Sequence, residues 1–65
     1  MEKETASFFE GKYVKIERLR LSDSRPFKLF GTIEKVTKDS ILLRSKTKLG
    51  AIRLVDVISI TEWRD

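Results

Sequence analysis

Arg53 and Asp56, three residues apart, and Lys38 beside Asp39 are the side chains whose types and spacing invite chemistry in this 65-residue chain. A guanidinium stacks on a planar base and hydrogen-bonds its edge or a phosphate, and an ammonium serves phosphate as a point charge. The competing use of Arg53 is an ion pair with Asp56 or Asp39 that fixes a corner of the backbone. Arg44, Lys46 and Lys48 form a second, local basic cluster, to be read as a polyanion contact or as a solvated hairpin tip. Catalysis has few carriers. The chain has no Cys and no His, which removes the common nucleophile–base pairs and the usual zinc ligands. There is no Gly-rich phosphate loop, and Glu34 with Asp39 is a lone acid pair on a predicted hairpin. The expectation is a binding protein and not an enzyme, with no cofactor, no metal and no small-molecule substrate.

Charge is unevenly spread. The chain carries 14 Lys and Arg against 10 Asp and Glu, and three of those acids (Glu2, Glu4, Glu10) lie in its first ten residues. The remainder of the chain is therefore more basic than the average, a bias that favours polyanionic partners. Length sets a second bound. A domain of this size buries only about 60% of its unfolded surface and often leans on disulfides, metal or partner subunits. With Cys absent, oligomerisation is the route left open. No apolar run approaches the roughly 18 residues of a membrane span. The first residues lack the basic start and apolar core of a signal peptide. The expected setting is the cytoplasm, without a membrane partner.

The elements that must position these residues read as one domain, residues 1–65, with a helix over residues 1–11 and strands across residues 13–63. Glu2 and Glu4 suit a helix N-terminus, Thr5 or Ser7 are candidate caps, and Gly11 is a candidate stop. Phe8 and Phe9 are its anchors, at least one of them packed. Tyr13–Leu19 alternates, with Val14 and Ile16 facing one way and Lys15 and Glu17 the other. Ser22, Asp23, Ser24 and Pro26 supply turn chemistry in a loop that also carries Arg20 and Arg25. The second strand is predicted over Phe27–Val36, after the proline that cannot donate to a ladder. Gly31 in its middle implies a sharp bend or the close approach of another backbone. Thr37-Lys38-Asp39 turns the chain back into Ile41-Leu42-Leu43, a run expected to be buried on both faces. A turn from Ser45 to Gly50 leads to a strand over Ala51–Leu54. A corner at Val55-Asp56 then opens a last, apolar strand over Val57–Trp63. As a terminal strand it is expected at a sheet edge, where unpaired apolar strands invite pairing with another copy. Phe8, Phe9, Phe27 and Phe30 are read as packing residues. Tyr13 suits packing or binding, and Trp63 a cover over the barrel or a subunit seam.

A short N-terminal helix followed by five strands with a glycine in the bent second one resembles the Sm-like fold of Sm, LSm and Hfq proteins, most closely an archaeal-type member. The resemblance spans essentially the whole chain. GTIEKVTKDSILLRS is similar to the first Sm segment, with Gly31, Ile33 and Val36 at its glycine and apolar positions. IRLVDVISI is similar to the second, with Ile52 and Arg53 at its Ile-Arg and Val57, Ile58 and Ile60 in its last strand. The resemblance implies a mainly β, strongly bent five-stranded barrel of SH3-like form. It also implies six- or seven-membered rings in which strand four of one subunit pairs with strand five of the next. The interface would then fall on Ile52, Leu54, Val57, Ile58 and Ile60.

The partner so implied is single-stranded RNA, U-rich or A-rich, held near the pore by Lys38, Asp39, Arg53 and Asp56, with Arg44, Lys46 and Lys48 as further basic contacts. The role would be that of an RNA chaperone or scaffold. The chain departs from the pattern at Thr37, where Asp is usual, at Asp39, where an aromatic or His stacks on the base, and at Ile41, where Asn is usual. Leu54 replaces a glycine, and Val55-Asp56 replaces the Lys-His pair of Hfq. A carboxylate at the stacking position removes about 1–3 kcal/mol per base. Two alternatives therefore stand beside the first: an assembly module of the same fold without RNA recognition, and a monomeric SH3-like barrel on duplex DNA.

Overall fold

A computed structural model describes residues 1–19 and 26–64. The predicted loop contacts Arg20 and Arg25 and the turn residues Ser22, Asp23 and Ser24 lie outside them. The elements run α1 (Lys3–Ser7), β1 (Tyr13–Leu19), β2 (Pro26–Val36), β3 (Ser40–Arg44), β4 (Leu49–Arg53), a 3-10 turn (Leu54–Asp56) and β5 (Val57–Glu62). Strands β1 to β4 form an antiparallel meander, and β5 returns to pair with β1. The sheet order is β4-β3-β2-β1-β5. The expected barrel is met as far as a helix and five antiparallel strands in one sheet. That sheet is not closed, and β4 and β5 are its two edges.

The core occupies one face. Val14 and Ile16 of β1, Ile33 and Val36 of β2, Ile41 and Leu43 of β3, Ile52 of β4, Leu54 of the 3-10 turn and Val57 of β5 are buried there, with Ala6 of α1 over them. Full burial of an aliphatic side chain contributes about 1.5–3 kcal/mol, so these contacts dominate the stability of so short a chain. Two irregularities let simple alternation serve a curved sheet. Between Ile33 and Lys35 the β2–β3 register shifts, so Glu34 and Lys35 both face out and Val36 still reaches the core. Between Glu17 and Arg18 the β1–β5 register shifts as well, and Arg18 pairs with Val57 while Glu17 pairs with Ser59. Ile58 is the extra residue of that bulge and is 47% exposed. An inserted residue of this kind bends the strand and turns its side chain out of the alternation.

Gly31 has the second of the two uses expected of it. A Cβ at this position would lie 2.5 Å from the Arg44 carbonyl oxygen and 3.0 Å from Leu43 Cγ. The backbone of β3 approaches β2 where no side chain fits.

Four expectations need correction. The helix is five residues long, not eleven, and neither Thr5 nor Ser7 caps it; Glu2 stands at the N-cap in extended conformation without a side-chain bond. Past Phe8 the chain leaves the helix and attaches to the sheet instead. Gly11, at φ +81°, donates its N–H to Ile33 O at 2.7 Å, and Ile33 N–H donates to Lys12 O at 3.1 Å. Glu10 fastens the same turn by accepting the Val36 N–H at 2.7 Å. Strand β2 includes Pro26, opposite Leu19, as its first residue. Leu49 and Gly50 belong to β4, not to the turn before it, and β5 ends at Glu62. Leu42 is half-buried while Ile41 and Leu43 are buried, so β3 faces the core on one side only. Of the two anchors, Phe9 packs against the core and Phe8 is 70% exposed.

Candidate nucleic-acid interface

The turn between β2 and β3 is closed by its own polar groups. Thr37 N–H donates to Ser40 O at 2.8 Å, and Ser40 N–H donates back to Thr37 Oγ1 at 3.0 Å. This leaves Lys38 and Asp39 at the tip, both exposed. On the neighbouring strand Arg53 sits opposite Ser40, and Leu54 N–H donates to Asp39 O at 2.8 Å. Lys38, Asp39, Arg53 and Asp56 therefore meet at one end of the sheet, although thirteen residues separate Asp39 from Arg53. The Met1 ammonium reaches the same end and donates to Leu54 O at 2.8 Å.

Electrostatics at this end is partly cancelled. Arg53 Nε donates to Asp56 Oδ2 at 3.2 Å, the ion pair weighed from the sequence, and Arg18 Nη2 approaches the same oxygen at 3.6 Å. One carboxylate thus serves two guanidiniums. The Arg53 side chain is 65% exposed while the Asp56 side chain is 16% exposed, so the guanidinium keeps a face open to an incoming phosphate although its carboxylate partner is largely buried. Lys38 forms no ion pair among the described residues. No ring accompanies these cations in the aromatic pairs or cation–ring contacts of the described residues.

Arg44, Lys46 and Lys48 lie elsewhere. They surround the β3–β4 turn, which Ser45 closes by donating its N–H to Lys48 O at 2.9 Å. Strand β3 spans the gap, from Ser40 to Arg44, about 13 Å at the usual rise. Arg44 pairs with Glu34 across the strands, which accounts for one of the two acids weighed for catalysis. The seven predicted contacts thus form two groups at opposite ends of one hairpin. Among the five predicted interface residues, Ile52, Leu54 and Val57 are buried in the chain's own core, Ile60 is half-buried, and Ile58 is exposed. What β4 and β5 leave unpaired is backbone, with Leu49 and Ile58 exposed beside it.

Sequence reasoning passed over one surface. Lys15 of β1 stands opposite Phe30 of β2 and opposite Thr61 of β5, on the face turned away from the core. Phe30 meets Trp63 edge-on, with centroids 5.5 Å apart, and Lys15 Nζ lies 5.1 Å from the Trp63 ring. The alternation of Phe30 with the inward Gly31 and Ile33 was a signal that its ring points outward. Among the described residues no group of three or more His, Cys, Asp or Glu could hold a metal ion, and no helix is long and apolar enough to cross a membrane. The chain matches no family model, no curated protein and no solved structure.

Proposed function

We propose that this chain is a subunit of an Sm-like homo-oligomeric ring that binds single-stranded RNA and serves as an RNA chaperone or scaffold. The observation that carries the reading is the sheet order, which leaves β4 and β5 as two unpaired edges of the same sheet. Different edges on one subunit make a head-to-tail contact, and such contacts close into a ring when the rotation between copies divides a full turn. Each junction hides two edges that would otherwise be aggregation templates, with Leu49 and Ile58 flanking the seam. A ring of six or seven copies repeats Lys38 and Arg53 around one opening. Weak phosphate contacts then add by avidity. The test is native mass spectrometry joined to RNA titration. A closed assembly whose affinity for oligouridine or oligoadenine falls with salt supports the reading, and a monomer contradicts it.

A second reading has an observation of its own. Asp56 neutralises part of the charge of both Arg18 and Arg53, and Asp39 stands at the loop tip. This suits an assembly module of the same architecture that has no RNA site. A ring with no salt-sensitive RNA affinity would favour it.

A further inference from the structure

Tyr13, Phe30 and Trp63 bring three rings to the outer face of β1 and β2 beside the end of β5, and each is 37–41% exposed. The core does not need them, since Val14, Ile16 and Ile33 fill the opposite face. Their positions are fixed by backbone and by each other. Trp63 N–H donates to Tyr13 O at 3.0 Å, and Phe30 holds Trp63 edge-on. Cations are interleaved with the rings. Lys15 lies over Trp63, and a cleft of ≈ 480 Å³ runs from Tyr13 and Phe30 to Arg44 and Lys46 on the β3–β4 turn. Lys15 and Arg44 have carboxylate partners in Glu17 and Glu34, whereas Lys46 makes no ion pair among the described residues.

Exposed rings gathered on one face, beyond the scattered single residues every surface carries, mark a candidate interaction surface. Rings alternating with cations on a sheet face suit unstacked bases, each offering a flat surface, joined by phosphates that need positive charge. A duplex keeps its base faces stacked and offers none. We propose that this face is a single-stranded RNA platform, separate from the Lys38–Arg53 end. Two or three nucleotides stack on Tyr13, Phe30 and Trp63, and their phosphates run along the cleft toward Arg44 and Lys46. The platform is complete in one chain and does not depend on ring formation.

Trp63 is the only tryptophan in the chain, so its emission reports on this face alone. The experiment titrates the full chain with hexauridylate and hexaadenylate, following tryptophan emission and the anisotropy of a labelled oligonucleotide together. Saturable quenching is expected. In Phe30→Ala the affinity should fall about fivefold or more, the lower end of one lost base stack, and Phe30→Tyr should restore it. Lys46→Ala should flatten the salt dependence. Circular dichroism on each variant checks that the sheet is intact. Oligonucleotide binding with unchanged emission would overturn the proposal. So would a folded Phe30→Ala chain that binds as tightly as the parent, or absence of binding by both readouts. Quenching by a protein partner but not by oligonucleotide would overturn it as well. Arg53→Ala separates this inference from the ring reading. If Arg53→Ala weakens binding and Phe30→Ala does not, the pore site stands and the platform fails. The converse pattern keeps the platform and removes the pore site.

Discussion

The Lys38–Arg53 end of the sheet and its outer aromatic face use cations in opposite ways. At the first, Arg53 and Arg18 share Asp56, and no ring contacts either of them among the described residues. At the second, Lys15 and the Arg44–Lys46 turn border Tyr13, Phe30 and Trp63. Charge without a flat surface gives affinity that salt removes and that reads no base. Charge beside rings adds a contribution that salt leaves largely intact. Net charge by itself therefore locates polyanion surfaces poorly. What separates them is which carboxylate, or which ring, each cation meets.

The most severe perturbation disrupts the sheet that holds both regions. Gly31→Ala places a Cβ against the Arg44 backbone, where nothing flexible can yield, and should destabilise by about 3 kcal/mol in urea unfolding. Ile16→Ala, at the fully buried centre of β1, should cost a similar amount, about 3 kcal/mol, by leaving a cavity. Next in size is the outer face. Trp63→Ala should lower oligonucleotide affinity by about 1–2 kcal/mol in fluorescence anisotropy while leaving assembly mass unchanged. A smaller effect belongs to the other end. Arg53→Ala should weaken binding about twofold to fivefold and reduce the slope of log affinity against log salt by about 1. The finest contrast between the two regions comes from Asp56→Asn, which frees two guanidiniums at once. Affinity there should rise about twofold, with a stability loss of about 1–2 kcal/mol because the carboxylate is largely buried. A fall in affinity would mean that Asp56 orients Arg53 for its ligand and does not compete with it.

Much of this architecture was legible because period-two alternation is strong where one face is buried. Strand β1 has the predicted bounds, Val14 and Ile16 face inward, and Gly31 sits where a backbone approaches. The bulges were not legible. One inserted residue shifts the register without changing composition, so Ile58 read as a strand residue like Ile60 although it stands outside the ladder. The helix was overestimated because Glu2, Glu4 and Gly11 signal ends but not the departure between them. From Phe9 to Lys12 the bonds shorten to single turns, and Glu10, Gly11 and Lys12 bond to Val36 and Ile33 of the sheet. Joining Lys38 and Asp39 with Arg53 and Asp56 rested on resemblance, and the Leu54–Asp39 bond brings them together. The aromatic face required register between strands. Nothing in Tyr13–Leu19 read alone places Lys15 opposite Phe30, and nothing near Trp63 points to Phe30.

The proposed ring depends most on the two open edges, β4 and β5, and the mass of the native assembly at low micromolar concentration tests them without intermediaries. A single species of six or seven copies is the expected result. A monomer under the same conditions would contradict the ring, because β4 and β5 would then remain unpaired in the working protein.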